Sequence, residues 1–330
     1  MLDTNIDKEL MKDINSATDN KDWLEIPTGP TGVRPSNPVA GQMRFDTTRS
    51  ALEYYNPSVT GWRGVTNSAA DVAYVTAAGG DNITTDGDYK VHTFLSSANF
   101  TVSDAGSAEG SSTVEILLVA GGGSGGNSSV TSNSSTERGG GGGAGGYRTF
   151  AAFAVSATTY AMVIGAGASS YSDGSNSTGF GYSSTGGGAG AWHGLGSYPA
   201  TYAGRNGGSG GGGMWAGANA EGEKGTGNLG SYTPVEGYDG GRPMGGHYGG
   251  GGGGSSAAGT DTVTGTGGGG AGTVNTINGS SVTYAAGGDV ATAAAGTANR
   301  GNGGASDIPN THGFANGGSG IIIVRYKFQN

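Results

Sequence analysis

The 330-residue chain holds 74 glycines and no cysteine, and its 16 basic against 25 acidic residues give a net charge of −9. The glycine share is several times the globular norm, and 34% hydrophobic residues are few for a conventional core of this length. Singly scattered basic residues argue against nucleic-acid or anionic-membrane binding, which needs a basic patch, and the missing thiols exclude disulfides and thiolate metal sites.

The opening MLDTNIDKELMKDI lacks a basic-then-apolar leader, and no apolar run approaches membrane-spanning length. Synthesis in a cytoplasm, with release by lysis if the protein works outside the cell, is therefore expected. Residues 3–18 read as a short amphipathic helix: Thr4 and Asp7 resemble a capping box, and Ile6, Leu10 and Ile14 share one face. That face suits a partner, another copy of the chain, or the next module. Residues 23–40, from Trp23 through Pro27, Pro30, Pro35 and Pro38, read as an extended connector.

Residues 41–65 alternate as a small three-stranded meander, with Met43 and Phe45, then Leu52 and Tyr54, then Trp62. Such a sheet is marginal alone and is expected to associate. Strand patterns resume over 72–119 and end in an apolar run, Ile116 to Ala120, typical of a strand covered on both faces.

Only 10 of the 74 glycines precede Gly121. Gly121, Gly123 and Gly126 satisfy G-x-G-x-x-G after that strand, but a nucleotide site also needs a helix N-terminus behind the glycines. The chain instead continues NSSVTSNSSTERGGGGGAGG, which is turn-forming and then glycine, with no acidic residue closing a following strand about 20 residues on. Beyond Gly121 short strands at 147–155, 159–164, 282–284 and 320–326 punctuate glycine tracts without a collagen period. The runs ILLVA and IIIVRY bracket this region, so they are expected to be neighbours in one β-sandwich, with the tracts as excursions from its end. Ordering each glycine costs about 0.5–1 kcal/mol more than ordering alanine. An ordered body is thus possible only if nearly every glycine amide bonds to a neighbouring segment. Threefold extended helices of the polyglycine II type meet that demand, because their N–H and C=O groups point outward. The expected organisation is 1–40 helix and connector, 41–70 meander, and 71–330 sandwich with glycine-rich domain, in a mainly β chain.

The segments DGDYKVHTF (86–94), VEILLVAGGGSGG (114–126), RGGGGGAGGYR (138–148), YAMVIGAG (160–167) and GGSGIIIVRY (317–326) together resemble the glycine-rich domain of bacteriophage tail fibres and tail-tip adhesins. Residues 24–65 are similar to a short module common in phage structural proteins, particularly of phages infecting cyanobacteria. A more distant likeness, to the glycine-rich extracellular region of certain receptor tyrosine kinases, lacks the secretion signal and cysteines those proteins carry. The resemblance implies a non-enzymatic virion protein, commonly a homotrimer. Its N-terminal part would attach to another tail or fibre protein, here through Ile6, Leu10, Ile14 and Trp23, and its glycine-rich part would meet a host surface polysaccharide or protein. An architectural head or tail component without receptor contact is the alternative, and a capsule depolymerase a third.

Between the tracts stand Trp192, His193, Tyr198, Tyr202, Trp215, Tyr232, Tyr238, His247 and Tyr248. Rings on loops suit sugar contact; equally they suit covering glycine segments or filling subunit contacts. Glu221/Glu223 and Glu236/Asp239 are the nearest to an acid–base pair, but solvated loop charges explain them more simply. His92, His193, His247 and His312 lack metal-site spacing, and Asp86-Gly-Asp88 reads as a turn rather than a calcium site. No P-loop or nucleophile elbow occurs. No cofactor, metal, nucleic-acid or membrane partner is expected.

Overall fold

The computed structural model describes residues 26–57, 61–65, 73–108, 110–127, 138–192, 202–215, 222–244, 248–265, 267–290, 294–306 and 315–329. The helix expected over 3–18 lies outside them. The chain is mainly β and divides into two units, 1–71 and 72–330.

In the first unit, strands β1 (Thr28–Gly29), β2 (Met43–Asp46), β3 (Ala51–Asn56) and β4 (Gly61–Gly64) form one sheet in that order. β2, β3 and β4 make the antiparallel meander, and β1 adds in parallel to β2. The alternation read from the sequence is present, but its apolar side is not the buried one. Met43 is 44% and Phe45 36% exposed, whereas Arg44, Asp46 and Glu53 are buried. Segment 28–34 produces this inversion. Arg34 reaches over the sheet to hydrogen-bond both Glu53 oxygens at 3.0 and 2.5 Å, and Arg44 donates to the Gly29 and Pro30 carbonyls. Thr31 Oγ1 donates to Asp46 at 2.5 Å. Burial opposes ionisation of Asp46, but that bond and the Thr48 and Arg49 amides outweigh it and hold the carboxyl below its usual range. None of the described residues of this unit is a buried apolar one.

The second unit carries β5 (Thr76–Ala78), β6 (Asn82–Asp86), β7 (Tyr89–Phe94), β8 (Ala98–Asp104), β9 (Thr113–Val119), β10 (Tyr147–Ala154), β11 (Thr159–Met162) and β16 (Ile321–Lys327). A five-stranded sheet runs β10-β9-β16-β7-β6 and a three-stranded sheet β11-β8-β5. Between them lies the main core, with Phe94, Phe100, Ile116, Leu118, Met162, Ile322, Val324 and Tyr326. β9 and β16 pair antiparallel from Ile321↔Val119 to Arg325↔Glu115, so the two bracketing runs are direct neighbours. Leu117, Val119, Ile321 and Ile323 point the other way, into a second core closed by Ala144, Ile277, Tyr284 and Ala285. Strand β9 is therefore covered on both faces, as its unbroken apolar run predicts. Two hairpins complete the strands: β12 (Ser177–Gly179) with β13 (Tyr182–Ser184), and β14 (Thr273–Asn275) with β15 (Val282–Tyr284).

The glycine tracts have no sheet pairing, yet their amides are systematically bonded to one another. In tract 139–146 the direction changes with every residue and recurs every third. Gly140, Gly143 and Gly146 donate to Ala191, Gly188 and Thr185; Gly141 and Ala144 donate to Gly250 and Gly253; Gly142 and Gly145 donate to Gly304 and Gly301. Its carbonyls accept from Gly123 and Gly126, from Ser209 and Gly212, and from Gly288. Six segments thus surround one tract. Tract 249–255 repeats the pattern, donating to 210–213, 257–260 and 285–288, and accepting from 141–144, 238–241 and 270. Both are buried along the described tract.

Close approach, rather than a left-handed backbone, explains the glycine. None of the glycines in 121–126 or 139–146 has a positive φ. A Cβ built on any of those in 139–146 would instead overlap a neighbour, a main-chain atom at every position but Gly146, where it is the Glu236 carboxyl. The carbonyls pointing at these Cα atoms add weak Cα–H···O contacts to the N–H···O bonds. Ala144 interrupts the tract where the methyl joins the second core.

Candidate functional site

The hydrogen-bond levels give the glycine body two ends. At the near end the tracts join the sheets: the Ala120 amide bonds the Gly146 carbonyl, Gly146 bonds Thr185, Gly145 bonds Gly301, and Gly320 bonds Gly165. At the far end Gly126 meets Gly140, Gly140 meets Ala191, and Ala191 meets Gly212. There Gly213 meets Gly241, Gly125 meets Ala315, and Val290 meets Gly267. Described residues far apart in sequence, among them Gly126, Ala191, Gly213, Val290 and Ala315, are thus gathered at one end of the body.

This geometry divides the aromatic residues singled out from sequence. Trp192, Tyr202, Trp215 and Tyr248 stand at the far end. Tyr202 is 37% exposed, whereas Trp192 is 4% exposed. The Trp192 ring packs 4.8 Å from Tyr171, under the Arg205 guanidinium at 5.3 Å. Arg138 lies over Tyr248 at 5.6 Å. Tyr232 and Tyr238 sit at the near end instead. Tyr232 stacks 3.7 Å from the Arg148 guanidinium of β10, and the Tyr238 amide donates to Gly254. His193, Tyr198 and His247 lie outside the described residues, as do Ile6, Leu10, Ile14 and Trp23.

A profile of the glycine-rich domain family matches residues 95–327. The chain belongs to the glycine-rich domain family. No match was found among curated proteins.

Within the glycine-rich domain the acidic residues hold structure together. Glu236 is fully buried, accepts from the Thr185 amide at 2.9 Å and from Ser184 Oγ at 3.3 Å, and so ties the near end to hairpin β12–β13. Asp239 pairs with Lys224 at 3.2 Å and accepts from the Gly227 amide. Glu223 pairs with Arg242 at 2.8 Å. Asp173 and Asp289 accept from the Ala189 and Gly269 amides. Side-chain oxygens thus substitute for carbonyls where a tract ends. Composition carries no signal for that role, because the amide partner of each such residue lies 12–51 positions away. Glu221 lies outside the described residues.

Proposed function

We propose that this chain is a non-enzymatic structural protein of a bacteriophage particle, a tail fibre or adhesin subunit that meets the host cell with the far end of its glycine-rich domain. The observation that carries the reading is the gathering of sequence-distant segments, with Trp192, Tyr202, Trp215 and Tyr248 beside them, at the end of a hydrogen-bonded body away from the sheets. A scaffold whose strength is main-chain bonding leaves the residues at that end free to differ in sequence, which suits contact with a variable surface. The tie to phages rests on the sequence motifs; the family match is to the glycine-rich domain alone.

Joint replacement of Tyr202, Trp215 and Tyr248 by Ala, in protein with unchanged melting, is expected to abolish adsorption to host cells. Unchanged adsorption would favour the architectural role, and release of reducing sugar ends from host capsule would favour a depolymerase. The particle, reached through lysis of the producing cell, is the proposed location.

We read the tracts as threefold helices of the polyglycine II type. Their support is the recurrence of hydrogen-bond direction every third residue, since such helices have three residues per turn and no internal bonds. Amide exchange of Gly140–Gly146 slower than that of exposed loop amides is the expected result. We also place self-association, as a homotrimer, on the apolar side of the N-terminal sheet, where Met43, Phe45, Leu52 and Tyr54 stand on one face of a unit whose described residues bury no apolar side chain. Residues 1–25 remain for attachment to another virion protein. Phe45→Ser with Leu52→Ser should convert a trimer to a monomer in light scattering; a wild-type chain that is monomeric at every concentration removes this part of the reading.

A further inference from the structure

The outer face of the five-stranded sheet is covered over only part of its area. The β14–β15 hairpin packs on Val91, Leu117 and Ile323 through Ile277 and Tyr284. Past Ile277 the same face turns polar. Glu115 and Arg325 stand directly opposite each other on β9 and β16, with Tyr89 and Thr149 on the flanking strands. Two adjoining clefts, of about 390 and 210 Å³, share Glu115, Ala151 and Arg325 as their common floor. The larger falls within the size that holds small organic ligands, about 300–1,000 Å³.

Arg325 is held without being hydrogen-bonded. Its guanidinium lies 4.0 Å from the Tyr89 ring, and the Asp86 and Glu115 carboxylates each stand 3.8 Å away. That separation gives charge attraction but exceeds hydrogen-bond length. Its Nε is buried with no partner. A set of planar donors therefore faces a groove beside two carboxylates that retain acceptor capacity.

The charge balance selects the ligand. Asp86 and Glu115 offset Arg325 and Lys327, so a net charge on the ligand gains little from the groove. A hydroxyl group gains from it, because it accepts from a guanidinium and donates to a carboxylate at once. Adjacent hydroxyls on a sugar ring match neighbouring donors and acceptors, and Asn275, whose amide also bonds Tyr147 and Ile277, borders the larger cleft. We propose that this groove binds an uncharged saccharide of about disaccharide length, with Arg325 donating to and Glu115 accepting from neighbouring hydroxyls. The site lies on the sheet rather than at the far end of the glycine body, and does not depend on the role proposed for that end.

The test is titration of the full chain, by calorimetry and by amide chemical shifts, with cellobiose, maltose, lactose and chitobiose, and with glucuronate as the charged control. Saturable binding of at least one neutral disaccharide at about 1–10 mM is expected. Arg325→Met and Glu115→Ala should each weaken it by about tenfold. Ala151→Trp fills the shared floor from an exposed strand position and should abolish binding while leaving the melting temperature unchanged. The proposal is overturned if no neutral disaccharide shifts the amides of β9 and β16, if Ala151→Trp binds as the native chain does, or if glucuronate binds as well as the neutral sugars. The Tyr202, Trp215 and Tyr248 variant should bind the disaccharide normally, so that loss of host adsorption and loss of this site are read separately.

Discussion

A single methyl group distinguishes the glycines that build this protein from those that merely occur in it. At Gly140 a Cβ would overlap the Gly212 carbonyl and crowd the Ala191 amide at 3.1 Å, in a fully buried tract. At Gly268 the nearest atom is Thr260 Oγ1 at 3.4 Å, an ordinary contact. Gly140→Ala should therefore cost about 1–3 kcal/mol or more, as overpacking does, while Gly268→Ala should lie within about 0.5 kcal/mol of the native chain; chemical denaturation measures both. His92 is the other telling residue. It is fully buried, with Nδ1 donating to the Gly79 carbonyl at 2.7 Å and Nε2 accepting from the Tyr326 hydroxyl at 3.0 Å. Burial pushes His92 below its usual 6.5, and the bond to Gly79 only partly opposes this. The unfolded chain then binds more protons, so stability falls as pH drops below about 6.5, at most by about 1.4 kcal/mol per pH unit. Burial pushes Tyr326 up to about 12; its contribution is present below pH 10 and lost between about 10 and 12. Melting temperatures across pH should show both flanks, and His92→Gln should flatten the acid one. As a lone histidine among strand residues, His92 gives no hint in sequence of either partner, since Tyr326 is 234 positions away.

Among the elements, β9 and β16 were legible and the N-terminal sheet only half so. An unbroken apolar run declares a strand covered twice, and the structure covers β9 with both cores. In β2 and β3 alternation reveals the strands but not which side faces inward, because the deciding partner is Arg34, on a segment that reads as a connector. Its ion pairs with Asp46 and Glu53, at 3.5 and 2.5 Å, turn the charged face inward. Glu53→Ala would leave Arg44, 5% exposed, beside a missing counter-charge, and should cost about 3–5 kcal/mol. Faster amide exchange across β2–β4, with the second unit unchanged, is the expected readout.

For the molecule as a whole, composition foretells that a large glycine body must satisfy its own amides, and the bracketing strands foretell where it begins and ends. Which tract neighbours which was not legible, because a residue without a side chain carries no periodicity by which to name its partner. The same anonymity hides the division of aromatic residues between the two ends. Tyr232 and Tyr238 are grouped in sequence with the other aromatic residues between tracts, yet the tract carrying them starts beside the sheets. The six-neighbour arrangement has a further consequence for how such a chain can change over time. With bonding directions repeating every third residue, one added glycine inside 139–146 shifts every later residue of the tract by one step of three, and each amide then faces the wrong neighbour. Three added residues restore the phase. Inserting one glycine after Gly142 should abolish cooperative melting, whereas inserting three should retain it. Length variation in such genes would then come in triplets of codons within the tracts, a second reading frame imposed by the fold.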